Sequence, residues 1–219
     1  MLVTATAVAA LSIGPSRGGG QTASAPHKPL SSLGHLKPPP LPAHLGPELV
    51  PIPDGPLLAE AASRATLTKS VDGIKCQPQE KVLFHIHAHL TVFVAGKARV
   101  IPYGIGIEPP LGGKNTKAGA FVAQGKCFSW LHTHVADGLI HVESPVRRTY
   151  TLGEFFDIWG QPLSRTQIGP ARGAVTAIVN SQVYTGDPRE IPLLKHAQIQ
   201  LEVGTPLIAP VNIKFYGPL

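Results

Sequence analysis

Charge is scarce in this chain. Asp, Glu, Lys and Arg make up only 15% of its 219 residues, and 13 of them are acidic. The formal net charge is +6, yet Lys and Arg are scattered, with Arg147-Arg148 the one adjacent basic pair. A nucleic-acid binder carries a basic stripe or cluster, so no nucleic-acid partner is expected. There is no glycine-rich nucleotide loop, no Ser-His-Asp arrangement and no pair of carboxylates placed for acid–base work. Those absences remove the matching enzyme classes. No internal repeat of fixed period occurs, which argues against a solenoid.

Cysteine is nearly absent as well. Only Cys76 and Cys127 occur. In an exported chain two cysteines suggest one disulfide. Such a bridge would close a loop of about 51 residues and contribute about 4 kcal/mol in the chain-entropy model. The alternative is that Cys127 is a thiolate ligand.

The apolar and small-residue run Leu2 to Ile13 counts 12 residues. A bilayer-spanning helix needs about 20, so no stable membrane span is expected in the mature chain. The run has the length of a signal-peptide core, and Ala23-Ser24-Ala25 matches a small-x-small cleavage pattern. Against this, no Lys or Arg precedes the run and Pro26 follows the cut. Residues 1–25 therefore read as a signal peptide or a disordered tail. Residues 26–56 read as a Pro-rich linker, with Lys37-Pro38-Pro39-Pro40-Leu41-Pro42 favouring polyproline II. His27, His35 and His44 lie there as solvated tail residues. Residues 57–219 read as a single His-rich globular domain.

What the chain does have is histidine, ten in all, with 23 Gly and 23 Pro. The central stretch runs from Leu131 to Glu143. Asp137-Gly138 is a strong two-residue turn signal. A hairpin closed there pairs His134 with His141 and His132 with Glu143. Alternation puts all four on one face, with Leu131, Thr133, Val135, Ile140 and Val142 on the other. A second strand, Phe84 to Leu90, carries His85, His87 and His89 on one side and Phe84, Ile86, Ala88 and Leu90 on the other. If the two strands lie close, their polar faces make a metal pocket.

Around these, a short helix is expected over Leu57 to Thr66 and a strand over Lys81 to Val94. Ala95-Gly96-Lys97 then turns the chain into Ala98 to Ile101. Residues 102–120 form a Gly- and Pro-rich loop in which Glu108 is a further ligand candidate. Phe121 to His134 is a strand, with Trp130 on the histidine face as a cover. Thr151-Leu152-Gly153-Glu154 is a capping box, opening a helix Leu152 to Trp159 that Gly160 and Pro162 stop. Its Phe155, Phe156 and Trp159 face the core. Arg165 to Gly173 is a loop. Strands follow over Ala174 to Asn180, Gln182 to Thr185, Ala197 to Val203 and Val211 to Tyr216. The fold class is α+β and mostly β: antiparallel hairpins with one short capped helix. The C-terminal half is β-grasp-like by analogy of layout, which carries no function.

Neutral imidazole is the commonest protein ligand of zinc and copper. His132, His134 and His141 form a facial triad within one hairpin. Glu143 is either a fourth ligand or the holder of a ligand ring. Protonating one imidazole disfavours protonating its neighbours, which favours a metal more than an isolated histidine would. The plain alternatives are a hydrogen-bonded polar cluster for these three, and a solvent-facing side for His85, His87 and His89. His196, alone, reads as an ordinary histidine.

The motifs at 85–90, at Cys127-Phe128-Ser129-Trp130-Leu131-His132-Thr133-His134, at 138–145 and at 151–159 resemble a family of uncharacterised exported bacterial proteins. The likeness covers about residues 74–204 and implies export to the periplasm or beyond and a single domain. Phe84-His85-Ile86-His87 also resembles the ligand strand of α-type carbonic anhydrases, whose other hallmarks are absent. His132, His134, His141 and Glu143 supply cupin-like residue types without the usual glycine and proline framing. Three functions follow as expectations: an exported copper- or zinc-binding protein, a metal-dependent enzyme with an open three-histidine site, or an interaction domain with structural histidines. The protein partner, if any, is left open.

Overall fold

A computed structural model describes residues 27–219; the expected leader at 1–25 lies outside the described residues. The strands in chain order begin with β1 His27–Lys28, β2 His44–Leu45, β3 Pro51–Ile52 and β4 Cys76–Gln77. Next come β5 Phe84–Val94, β6 Lys97–Arg99, β7 Gly112–Thr116 and β8 Gly119–Gln124. Then follow β9 Phe128–Ser129, β10 Leu131–His132, β11 Leu139–Ser144 and helix α1 Leu152–Trp159. The small strands β12 Leu163–Ser164, β13 Gln167–Ile168 and β14 Ala171–Arg172 precede β15 Val175–Val179, β16 Gln182–Tyr184 and β17 Gln198–Val203. This is the mostly β, α+β architecture expected from the sequence.

One mixed sheet carries the molecule, in the order β1-β16-β15-β17-β5-β11-β10, with β6 also on β5. Its longest strand, β5, runs parallel to β17 and antiparallel to β11. Alternation along β5 and β11 separates two faces. Ala88, Leu90, Val92, Ile140 and Val142 join Phe155, Phe156 and Trp159 of α1 in one core. The histidines take the other face. α1 forms where expected because both ends are specified. Glu154 N donates to Thr151 Oγ1, Thr151 N donates to the Glu154 carboxylate, and Gly160 closes the helix at φ +78°. Such a cap stabilises a helix by about 1 kcal/mol.

Several local expectations give way to tertiary pairing. Leu57–Thr66 is not helical. Its backbone is drawn out against other segments, with Leu58 N donating to Val100 O and Arg64 N to Ile158 O, and tertiary partners override weak helix propensity. The loop 102–120 contains β7, which pairs with β8. The strand expected over 121–134 is broken into β8, β9 and β10. The loop expected over 165–173 folds into the three-stranded β12-β13-β14. Residues 211–216 form no strand. Side-chain amides read their backbone instead: Gln198 Nε2 donates to Ile213 O, and Val211 N donates to Gln200 Oε1.

The Pro-rich stretch packs on the histidine face of the sheet rather than running free. β1 extends the sheet edge, β2 pairs with β3, and Val50 is fully buried beside Leu139 and Ile213. Between β2 and β3 a tight turn, with Gly46 N donating to Val50 O, presents Glu48. Cys76 and Cys127 form a disulfide, so Cys127 is not a thiolate ligand.

Candidate metal centre

The central hairpin forms, but in a different register. Leu131 pairs with Val142 and His132 with His141, so the connection spans residues 133–138 instead of turning at Asp137-Gly138. The cause is capture of the chain after β10. Thr133 N donates to Ile105 O, Gly104 N to Thr133 O and Thr133 Oγ1 to Pro102 O. Val122 N donates to His134 O. Asp137 is buried, and Leu139 N donates to its Oδ1. Gly138 sits at φ +83°, where a Cβ would stand 2.2 Å from Leu90 O. A shift of two residues keeps each side chain on its face, so the histidines still converge.

β11 lies between β10 and β5, and its register aligns His141 with both His132 and His87, and Glu143 with His85. The two histidine strands therefore share one pocket. Its donor atoms fall into two groups. His85, His87, His141 and Glu143 form one; His132, His134, His141 and Glu143 form the other. Within each, the ligand atoms all lie within 4.8 Å of one another.

Close distances run through both. His85 Nε2 is 3.1 Å from His87 Nε2, and His87 Nε2 is 3.1 Å from His141 Nδ1. His132 Nε2 is 3.0 Å from His134 Nε2. Glu143 Oε1 lies 3.1 Å from His85 Nε2 and 3.4 Å from His141 Nδ1. With bonds of about 2.0–2.1 Å, tetrahedral donors stand about 3.3–3.4 Å apart, so the pocket is near that scale.

The backbone sets two of the rings. His132 Nδ1 donates to Ser129 O at 2.8 Å, and His134 Nδ1 donates to Val122 O at 2.5 Å. A carbonyl only accepts, so both rings carry their proton on Nδ1 when neutral. Their Nε2 lone pairs then face each other at 3.0 Å. Two lone pairs repel at that distance unless a cation lies between them. Such outer hydrogen bonds are how ligand imidazoles are oriented in metal sites.

Electrostatics sorts the histidines. Burial, then the nearby His141 and His85, push His87 down to about 3. Burial and His141 push His134 down to about 4, and His132 falls well below its ordinary value for the same reasons together with His134. Burial also works against charge on His141. Its hydrogen bonds to Glu143 and Glu48 outweigh that and lift it to about 9. Glu143 is raised by burial, but His141, His132 and His85 overcome this and hold it at about 2. Neutral donors thus surround one imidazolium set between two carboxylates.

His89 does not join either group. It donates from Nε2 to Asp137 O at 2.9 Å, meets Thr91 Oγ1 through Nδ1 at 3.4 Å, and is buried. Glu108 lies apart, accepting from Leu67 N and standing 4.0 Å from Lys126 Nζ. Trp130 does not cover the histidines. It packs in the core on the helix side and donates from Nε1 to Gln77, because a bend at this residue breaks the alternation. His196 is an ordinary histidine, stacked on Phe215.

Two carboxylates at the site have no sequence signal of their own. Glu48 Oε1 stands 3.0 Å from His141 Nε2, and Glu80 Oε1 stands 3.5 Å from His134 Nε2. Both arrive from irregular segments where no periodicity applies; only the scarcity of acidic residues in the chain singles them out. Glu48 Oε2 and Glu143 Oε2 are buried without a hydrogen-bond partner among the described residues. Access is from the rim, where the side chains of His85 and Glu80 are 34% and 36% exposed. A separate cavity of about 470 Å³ is lined by Pro40, Leu41, His89, Phe93 and Asp137, among others, but by none of the five clustered histidines.

Comparison with known proteins returns no match among family models, curated proteins or solved structures.

Proposed function

We propose that this chain is an exported metal-binding protein that holds copper or zinc on His85, His87, His132, His134, His141 and Glu143. One observation carries the reading: the facing Nε2 atoms of His132 and His134, 3.0 Å apart, with their other nitrogens both fixed on backbone carbonyls. The donor chemistry suits borderline ions, imidazole with one carboxylate and no thiolate. The buried, unpartnered oxygens of Glu48 and Glu143 are compatible with a cation nearby. Export is favoured by the disulfide, since such bridges persist in oxidising compartments, and by the likeness to an exported bacterial family.

A bound ion would supply positive charge and, with a vacant position, Lewis acidity. His132 and His134 would bind it through Nε2. His141 would bind through Nδ1 while its Nε2–H stays on Glu48. Closure favours storage or delivery over turnover: His87, His132, His134 and His141 are all buried, and the large cavity lies elsewhere. A second reading, a metal-dependent enzyme, is favoured by Glu80, an exposed rim carboxylate whose pKa is raised by partial desolvation and by Glu143.

Elemental mass spectrometry of the purified protein tests the proposal, with His132→Ala and His134→Ala as controls and circular dichroism to check folding. Copper or zinc at one ion per chain or more, reduced in both variants, supports it. A folded protein that takes up neither metal after soaking overturns it and leaves the histidines structural.

A further inference from the structure

We infer that the pocket holds two metal ions rather than one, with Glu143 as the bridge between them. The inference rests on the metal-binding reading above and adds the number and arrangement of the ions.

The donors are too many and too divided for one ion. Five histidines and Glu143 converge, whereas zinc in a protein takes about four ligands. They also separate by element. His85 and His87 come from β5, and His132 and His134 from β10 and the loop after it, with β11 between them. An ion placed between His85 and His87 leaves the facing lone pairs of His132 and His134 uncompensated. An ion placed between His132 and His134 leaves His87 Nε2 3.1 Å from both His85 Nε2 and His141 Nδ1. Those three nitrogens and Glu143 then form a second donor set, close enough to share one ion once His141 Nδ1 gives up its proton.

His141 and Glu143 belong to both groups, but they are not equivalent. His141 Nε2 is engaged by Glu48 at 3.0 Å, so this ring has one nitrogen to give and serves one ion. Glu143 has two oxygens. Its Oε1 is placed with the first group, 3.1 Å from His85 Nε2. Its Oε2 is buried and has no hydrogen-bond partner among the described residues, and the residue is only 4% exposed. A buried carboxylate oxygen left unpaired is costly. A second ion, held by His132 and His134, is the partner this oxygen lacks. Pairs of ions about 3.5–4 Å apart are a recurrent arrangement, a separation that the two oxygens of one carboxylate can span. The ion that lacks His141 is left with two imidazoles and one carboxylate, a donor set with open positions.

The test uses the full chain loaded with copper(II) or zinc and passed through a weak chelator to strip loosely held ions. Two ions per chain by elemental analysis are expected, and the copper(II) form should show the electron paramagnetic resonance signature of coupled spins. Ions caught by scattered surface histidines such as His27 or His44 do not couple, so coupling separates the pair from adventitious binding. His85→Ala/His87→Ala and His132→Ala/His134→Ala should each keep one ion and lose the coupling, and Glu143→Gln, which removes the bridge, should lose the coupling as well. One ion per chain, or two without coupling, overturns the inference and leaves the metal-binding reading intact. No ion at all overturns both.

Discussion

Glu48 Oε1 and His141 Nε2 stand 3.0 Å apart although 93 residues separate them in the chain. The contact joins the Pro-rich strap to the centre of the sheet. It fixes the His141 ring with Nε2–H outward to Glu48, so Nδ1 points at His87 and Glu143. The strap therefore acts on the site through one hydrogen bond.

Removing that bond should weaken metal binding without unfolding the protein. Loss of a carboxylate that orients a ligand imidazole costs roughly 10–100-fold in affinity. Glu48→Gln is expected to fall in that range in a competition titration against a chromophoric chelator, with an unchanged circular dichroism spectrum. Unchanged affinity would remove Glu48 from the site's function.

Metal binding should release about one proton at pH 7. His87 and His134, at about 3 and 4, are already neutral there, whereas His141, at about 9, is charged. Binding through His141 Nδ1 displaces that proton, so affinity rises with pH up to about 9 and levels off above it. Calorimetric titration of zinc in buffers of different ionisation enthalpy reads the proton count. Histidines at their ordinary value of 6.5 would instead give release that vanishes above pH 7.

Asp137 gives a stability prediction of definite sign. Burial, then Glu48, raise its carboxyl from 3.8 to about 7, and its Oδ2 has no hydrogen-bond partner among the described residues. A carboxyl raised on folding favours the native state while protonated. That contribution is present below 3.8 and is lost as pH rises through about 7. Asp137→Asn keeps an acceptor for Leu139 N and cannot ionise. Its gain over the parent in urea denaturation should be small at pH 4 and reach on the order of a few kcal/mol above pH 7. A constant difference across pH would contradict this.

Gly138→Ala should destabilise the protein by more than about 1 kcal/mol, since the position combines positive φ with no room for a side chain. The denaturation midpoint checks it. The same substitution should lower metal affinity, because it disturbs the loop that carries His134.

Much of the site was legible because alternation in a strand is robust. A two-residue slip between the expected and actual hairpin moved the partner of His132 from Glu143 to His141 and left every donor on its face. The capped helix was legible because Thr151, Glu154 and Gly160 act locally. What was not legible depends on distant partners. Thr133 leaves the hairpin for the Gly104–Ile105 backbone, His89 turns to Asp137, and Glu48 and Glu80 reach the site from segments with no period of their own. Extended residues 57–66 and 211–216 follow the same rule, taking their backbone partners from other parts of the fold.

X-ray absorption at the zinc or copper edge of the loaded protein tests the central claim most directly. The account predicts a first shell of nitrogen and oxygen at about 2.0–2.1 Å with the outer-shell pattern of several imidazoles and no sulfur, and loss of imidazole scattering when His85, His87, His132 and His134 are all replaced by Ala. A shell of water oxygens alone, or a spectrum unchanged in that variant, would contradict it.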